Sequence, residues 1–175
     1  MAAGPIGGAG DLRGIFIFKG KTVDEARALA AEDPAIKAGR LTLQLYRWLG
    51  PAGIGTRFTA EKKSDPAFKV KMRTYELGLL KGVPGVPQST PEGQKAHLEH
   101  IAAMQAAGKL AAVGPIVDEG DLRGIYIFNT DAAEAKRLAS EDPHVKAGRM
   151  TVEVLTWWCA EKVMPDSLPP VPVPK

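Results

Sequence analysis

The chain of 175 residues holds one cysteine, Cys159. An intrachain disulfide is therefore excluded, and so is a cysteine-based metal cluster. No histidine neighbours Cys159 in sequence, so it reads as a strand-end thiol of no special role. Long apolar runs are also lacking: none approaches the ~20 residues needed to span a bilayer, and no membrane partner is expected. A basic stripe is missing too. Lysine and arginine (23) are interspersed with aspartate and glutamate (20), and only Lys62-Lys63 and the spaced Lys69, Lys71 and Arg73 gather. Nucleic-acid binding calls for a stripe with interleaved aromatics or a known motif, so that partner is excluded as well. Met1-Ala2-Ala3-Gly4 runs straight into patterned sequence, leaving no room for a signal peptide; with Met1 as the start, a cytoplasmic location is expected.

What is present is a stretch that occurs twice. Gly4 to Trp48 and Gly114 to Trp158 align with a single one-residue gap after Phe18 and Phe128, and roughly half their positions are identical. In each copy Asp-Leu-Arg-Gly leads into a β-branched and aromatic run, Ile15 to Phe18 or Ile125 to Phe128, which predicts a strand. A helix with a marked start comes next. Thr22-Val23-Asp24-Glu25 is a capping box in the first copy, and Asp131-Ala132-Ala133-Glu134 replaces it in the second. Ala26, Leu29 and Ala30 form a narrow apolar stripe, matched by Ala135, Leu138 and Ala139. Leu41 to Trp48 and Met150 to Trp158 alternate as closing strands.

Only the second copy is preceded by further patterned elements. Thr74 to Leu80 predicts a strand. Two Val-Pro pairs then make an extended loop, and Thr90-Pro91-Glu92 opens a helix that ends near Gly108. Residues 72–160 therefore read strand, helix, strand, strand, helix, strand. That is an α+β unit of ferredoxin-like order (βαββαβ), an antiparallel sheet with two helices on one face. Residues 1–50 supply only the latter part of such a unit (β-β-α-β), residues 51–71 form a linker, and residues 161–175 form a Pro-rich tail expected to be extended and poorly ordered. Half a unit leaves a sheet edge unpaired and an apolar face partly uncovered. Either Met1 is an internal methionine of a longer protein, in which case an extension could carry a signal peptide, or a partner chain completes the unit.

Few side chains offer chemistry. His97 shares a helix stripe with Ile101 and Met104, so it is either a hydrogen-bonded core residue or one that lines a pocket between helix and sheet. His97 and His100 lack the carboxylate pattern of a known metal site, and no metal is expected. Asp142, before Pro143, is a natural N-cap for a short turn; it could equally orient and polarise a histidine. Asp33 holds the same place in the first copy, where Ala35 replaces His144, so capping alone can account for an aspartate there. Arg123 and its counterpart Arg13 could bind an anionic group with a guanidinium fork or form a structural salt bridge. Trp157 and Trp158 read as packing or subunit-contact residues.

The order Tyr75-Glu76-Leu77-Gly78-Leu79-Leu80, His97-Leu98-x-x-Ile101, Gly114-Pro115, Gly120-Asp121-Leu122-Arg123-Gly124 and Asp142-Pro143-x-Val145-x-Ala147-Gly148 resembles the YciI-like (YCII-related) family across residues 72–160. Gly4 to Trp48 resembles the latter half of the same domain. The resemblance implies ferredoxin-like units that pair as a dimeric α+β barrel, with a histidine–aspartate dyad that falls by motif on His97 and Asp142. One type in the family resembles a dehydrochlorinase acting on a chlorinated hydroxyquinol, and the wider barrel superfamily includes muconolactone isomerases and haem-handling enzymes. By the same resemblance an enzyme of lyase or isomerase type is expected, with His97 as acid–base and Asp142 orienting it; no cofactor is expected, and from its residue type Arg123 is the candidate for holding a small-molecule substrate. The alternative is a non-catalytic module that binds a small ligand or builds a dimer; haem or flavin binding is a third reading. The units are expected to pair either within the chain or as a homodimer.

Overall fold

The second half of the chain closes around one central strand. The computed structural model describes residues 2–173 apart from Ala9, Lys21 and Gln88; Met1 and the end of the Pro-rich tail lie outside the described residues. The elements are β1 (Ala2–Pro5), β2 (Gly14–Ile17), α1 (Val23–Ala31), α2 (Pro34–Lys37), α3 (Thr56–Ser64), β3 (Met72–Gly82), α4 (Pro91–Ala106), β4 (Leu110–Pro115), β5 (Leu122–Phe128), α5 (Ala132–Ser140), α6 (Pro143–Lys146) and β6 (Met150–Ala160). Four of the strands form an antiparallel sheet in the order β4-β5-β3-β6. β3 lies between β5 and β6 and pairs with β6 along its whole length, Met72 opposite Ala160 to Gly82 opposite Met150. The fold is thus α+β with antiparallel sheets, consistent with the ferredoxin-like order.

Alternation along the strands sorts the two faces. Tyr126 and Phe128 turn toward the helices, where they meet Ile101 and Met104 of α4 and Ala135, Leu138 and Ala139 of α5. Ile127, Tyr75, Leu77, Trp157 and Cys159 turn to the other face. There they pack with Ala2, Ile6, Ile15, Ile17 and Trp48 from the first copy, and with Ile54 and Phe58 around α3. The helix starts are set by their caps: Thr22 Oγ1 accepts from Glu25 N at 3.1 Å, Asp131 Oδ1 from Glu134 N at 2.9 Å and Thr90 Oγ1 from Gly93 N at 3.1 Å.

Three expectations need correction. Leu41 to Trp48 does not form a strand; a single bridge joins Trp48 to Ile116. Its counterpart β6 is held by β3, and among the described residues the first copy has no strand in that central place. Residues 51–71 are more than a linker, because they contain α3, tied down by Arg57 to Asp166 and by Lys162 to Glu61. The tail is also docked. Val163 and Met164 are buried, Leu168 and Val171 pack against the helix-side core, and Gln105 Nε2 donates to the carbonyls of Leu168 and Pro169 at 3.0 and 2.8 Å.

The uncovered face expected of the first copy is visible in its side chains. Leu29 is 60% exposed where Leu138 is 8% exposed. β2 pairs with β1 in a two-stranded sheet of its own. Among the described residues no helix is long and apolar enough to cross a membrane.

Candidate functional site

Three elements bring four polar side chains together under the first turns of α4. Asp142 caps the short helix α6, and its Oδ1 accepts from His144 N at 2.8 Å. Its other oxygen, Oδ2, lies 2.7 Å from His97 Nδ1, on the second turn of α4. The same Oδ2 accepts from the Tyr126 hydroxyl of β5 at 2.5 Å. Asp142 is fully buried while the His97 side chain is 13% exposed, so the imidazole is the member of the group that reaches solvent. His144 lies beneath α4, with its ring 4.7 Å from that of His97 between centroids and tilted 34°. Its Nε2 is 3.4 Å from Gln94 Oε1, and its buried Nδ1 has no hydrogen-bond partner among the described residues.

This geometry sets the electrostatics. Burial acts to raise the carboxyl of Asp142, but the bonds from His97, Tyr126 and His144 N overcome it and hold the group below its ordinary value. An ionised carboxylate cannot donate, so His97 Nδ1 carries the shared proton and leaves Nε2 as the basic nitrogen in the neutral ring. Among the described residues Nε2 has no hydrogen-bond partner. Burial lowers His144, with the nearby His97 charge adding to the effect, and keeps that ring neutral near pH 7. Burial, together with the adjacent Asp142 charge, pushes the Tyr126 hydroxyl well up, so it remains a donor.

The other sequence candidates fall elsewhere. His100 donates from Nε2 to Leu138 O at 3.0 Å and points at α5 instead of sharing a site with His97. Arg123 makes no hydrogen bond to His97 or Asp142; its Nε is buried without a partner among the described residues. Asp33 repeats the capping bond, accepting from Ala35 N at 2.7 Å. Cys159 is buried on the face away from the helices, and burial raises its thiol to about 11, which keeps it protonated. No group of three histidine, cysteine, aspartate or glutamate side chains suited to a metal occurs among the described residues.

A cavity of about 350 Å³ opens at the other end of α4, lined by Arg57, Arg73, Tyr75, Gln105, Asn129 and Lys162 among others. It contains neither His97 nor Asp142. Arg57 is paired with Asp166 and Lys162 with Glu61, while Arg73 lies over the Tyr75 ring and bonds Asn129. The cavity is the roomier feature, whereas the acid–base side chains gather around His97.

Sequence reading missed Tyr126 and His144. The signal was in the repeat: Phe16 stands where Tyr126 does, and Ala35 where His144 does. The first copy keeps the capping aspartate and lacks both of the side chains that gather around it in the second. Searches of curated proteins and of solved structures find no match to the chain. The span from Glu76 to Trp158, which carries His97, Tyr126, Asp142 and His144, matches the family model of the YCII-related domain.

Proposed function

We propose that the YciI-like unit of residues 72–160 is a small-molecule enzyme that moves a proton, of lyase (dehydrohalogenase) or isomerase type. The observation that carries this reading is the buried Asp142 carboxylate, which takes His97 Nδ1 on one oxygen beside the Tyr126 hydroxyl while the far side of the imidazole stays free. His97 Nε2 takes a proton from a carbon made acidic by an adjacent carbonyl or enol. The imidazolium that forms is stabilised by Asp142, and the proton returns to a different atom or leaves with the displaced group. Tyr126 and His144 N hold the carboxylate in place, so that it orients the ring without turning away. Arg123, with a buried Nε that has no partner among the described residues, is the candidate for holding an anionic group of the substrate.

A panel of cyclic keto-enol compounds, halogenated hydroxyquinols included, tests the reading. His97→Ala and Asp142→Asn are each expected to slow the turnover found by about 100-fold or more. Thermal unfolding of each variant establishes that the fold survives. Turnover that neither change slows would overturn the assignment.

A further inference from the structure

The sheet face opposite the helices is covered by the first copy, and the contacts across it come in matched pairs. Trp157 Nε1 donates to Gly4 O at 3.1 Å, and Trp48 Nε1 donates to Gly114 O at 3.0 Å. By the repeat alignment Gly4 corresponds to Gly114 and, after the one-residue gap, Trp48 to Trp157. The backbone repeats the exchange. Gly7 N donates to Thr156 O at 2.9 Å and Val117 N to Arg47 O at 3.0 Å, again equivalent positions with the roles of the copies reversed. The isolated bridges Ile6 to Trp157 and Trp48 to Ile116 form the same kind of pair.

Steric demands match as well. A Cβ built on Gly4 would lie 1.7 Å from Trp158 O, and one on Gly114 would lie 2.1 Å from Leu49 O, equivalent carbonyls once more. Both seam positions therefore need glycine, because backbone approaches where a side chain would stand. The match is incomplete: Arg47 bonds Asp118 through its backbone N and its Nε, and Gly8 replaces that aspartate in the first copy.

A contact in which residue i of one unit meets residue j of the other, and j meets i, is the signature of a two-fold interface between like surfaces. We propose that the first copy serves as a built-in partner: residues 2–49 occupy, within one chain, the face through which the YciI-like unit would otherwise pair with a second molecule. The face is self-complementary, so the partner it fits is another copy of the same hairpin and tryptophan. This pairing is independent of the acid–base reading, because Trp157 and Ile127 lie on the face of the sheet away from Tyr126.

The full-length chain tests the proposal directly. Isotopically labelled and unlabelled chains are unfolded, mixed in equal amounts and refolded together, and nuclear Overhauser effects are read between the Trp157 indole proton and the Gly4 α-protons. The expected result is a cross-peak in the fully labelled sample that disappears when the mixed sample is filtered for contacts between chains. A filtered cross-peak, or none in either sample, overturns the proposal. A second arm uses Trp48→Phe and Trp157→Phe, each of which removes one of the twin bonds. Each variant is expected to speed amide exchange at both Gly7 and Val117 by about five- to tenfold, as a loss of the order of one hydrogen bond in a shared seam requires. Acceleration confined to the amide beside each substitution would mean two unrelated contacts, and the two-fold reading would fail.

Discussion

At the scale of residues, Asp142 and His144 make stability depend on pH in two separable steps. His144 titrates below its ordinary value in the folded chain, so the unfolded chain binds a proton that the folded one refuses. Stability therefore falls as pH drops below about 6.5. Asp142 is also held low; its contribution is complete above the unfolded value of about 3.9 and is lost as pH falls through the folded value. Melting temperature against pH is expected to show both limbs. His144→Asn should remove the upper limb, and Tyr126→Phe, which takes a donor from Asp142 Oδ2, should move the lower one to higher pH. An upper limb unchanged in His144→Asn would place its origin in another group. The pairing of His97 with Asp142 was legible in the sequence only through family motifs. Nothing in residue spacing shows that a tyrosine on β5 and an aspartate sixteen residues on share a hydrogen bond, because a strand, a helix and a turn have to fold back before they meet.

At the scale of elements, the repeat runs its own control experiment. α1 and α5 carry the same stripe and the same kind of cap, yet Leu138 is buried against the core while Leu29 lies open. Leu138→Ala is expected to cost ~2–5 kcal/mol, and Leu29→Ala to stay within ~0.5 kcal/mol, as read from urea unfolding. Equal costs would mean that the face of α1 is covered in solution. The same contrast explains why the element order of residues 72–160 was readable and Leu41 to Trp48 was misread. Capping residues and apolar periodicity are local, so Thr22, Thr90 and Asp131 announce their helices. A strand is a property of its neighbour as much as of itself, and the alternation from Leu41 onward has no β3 to pair with. The docked tail was illegible for a related reason: Leu168 and Pro169 are held through backbone carbonyls by Gln105, a bond that any sequence could offer.

At the scale of the whole molecule, the two copies share one buried face, and their stabilities are linked through it. Trp48 and Trp157 report on that seam, while far-ultraviolet circular dichroism reports on helices throughout. Urea transitions measured by tryptophan fluorescence and by circular dichroism are expected to coincide. Separate midpoints would show two units that merely touch.

The seam also divides the evolutionary freedom of the chain unevenly. Gly4, Gly114, Trp48 and Trp157 are bound to one another, so a change in one copy is felt at its twin's partner and both halves must be kept in step. Phe16 and Ala35 are under no such bond to Tyr126 and His144. A change at Phe16 or Ala35 therefore leaves the seam untouched, whereas a change at Gly4 or Trp48 reaches into the second copy.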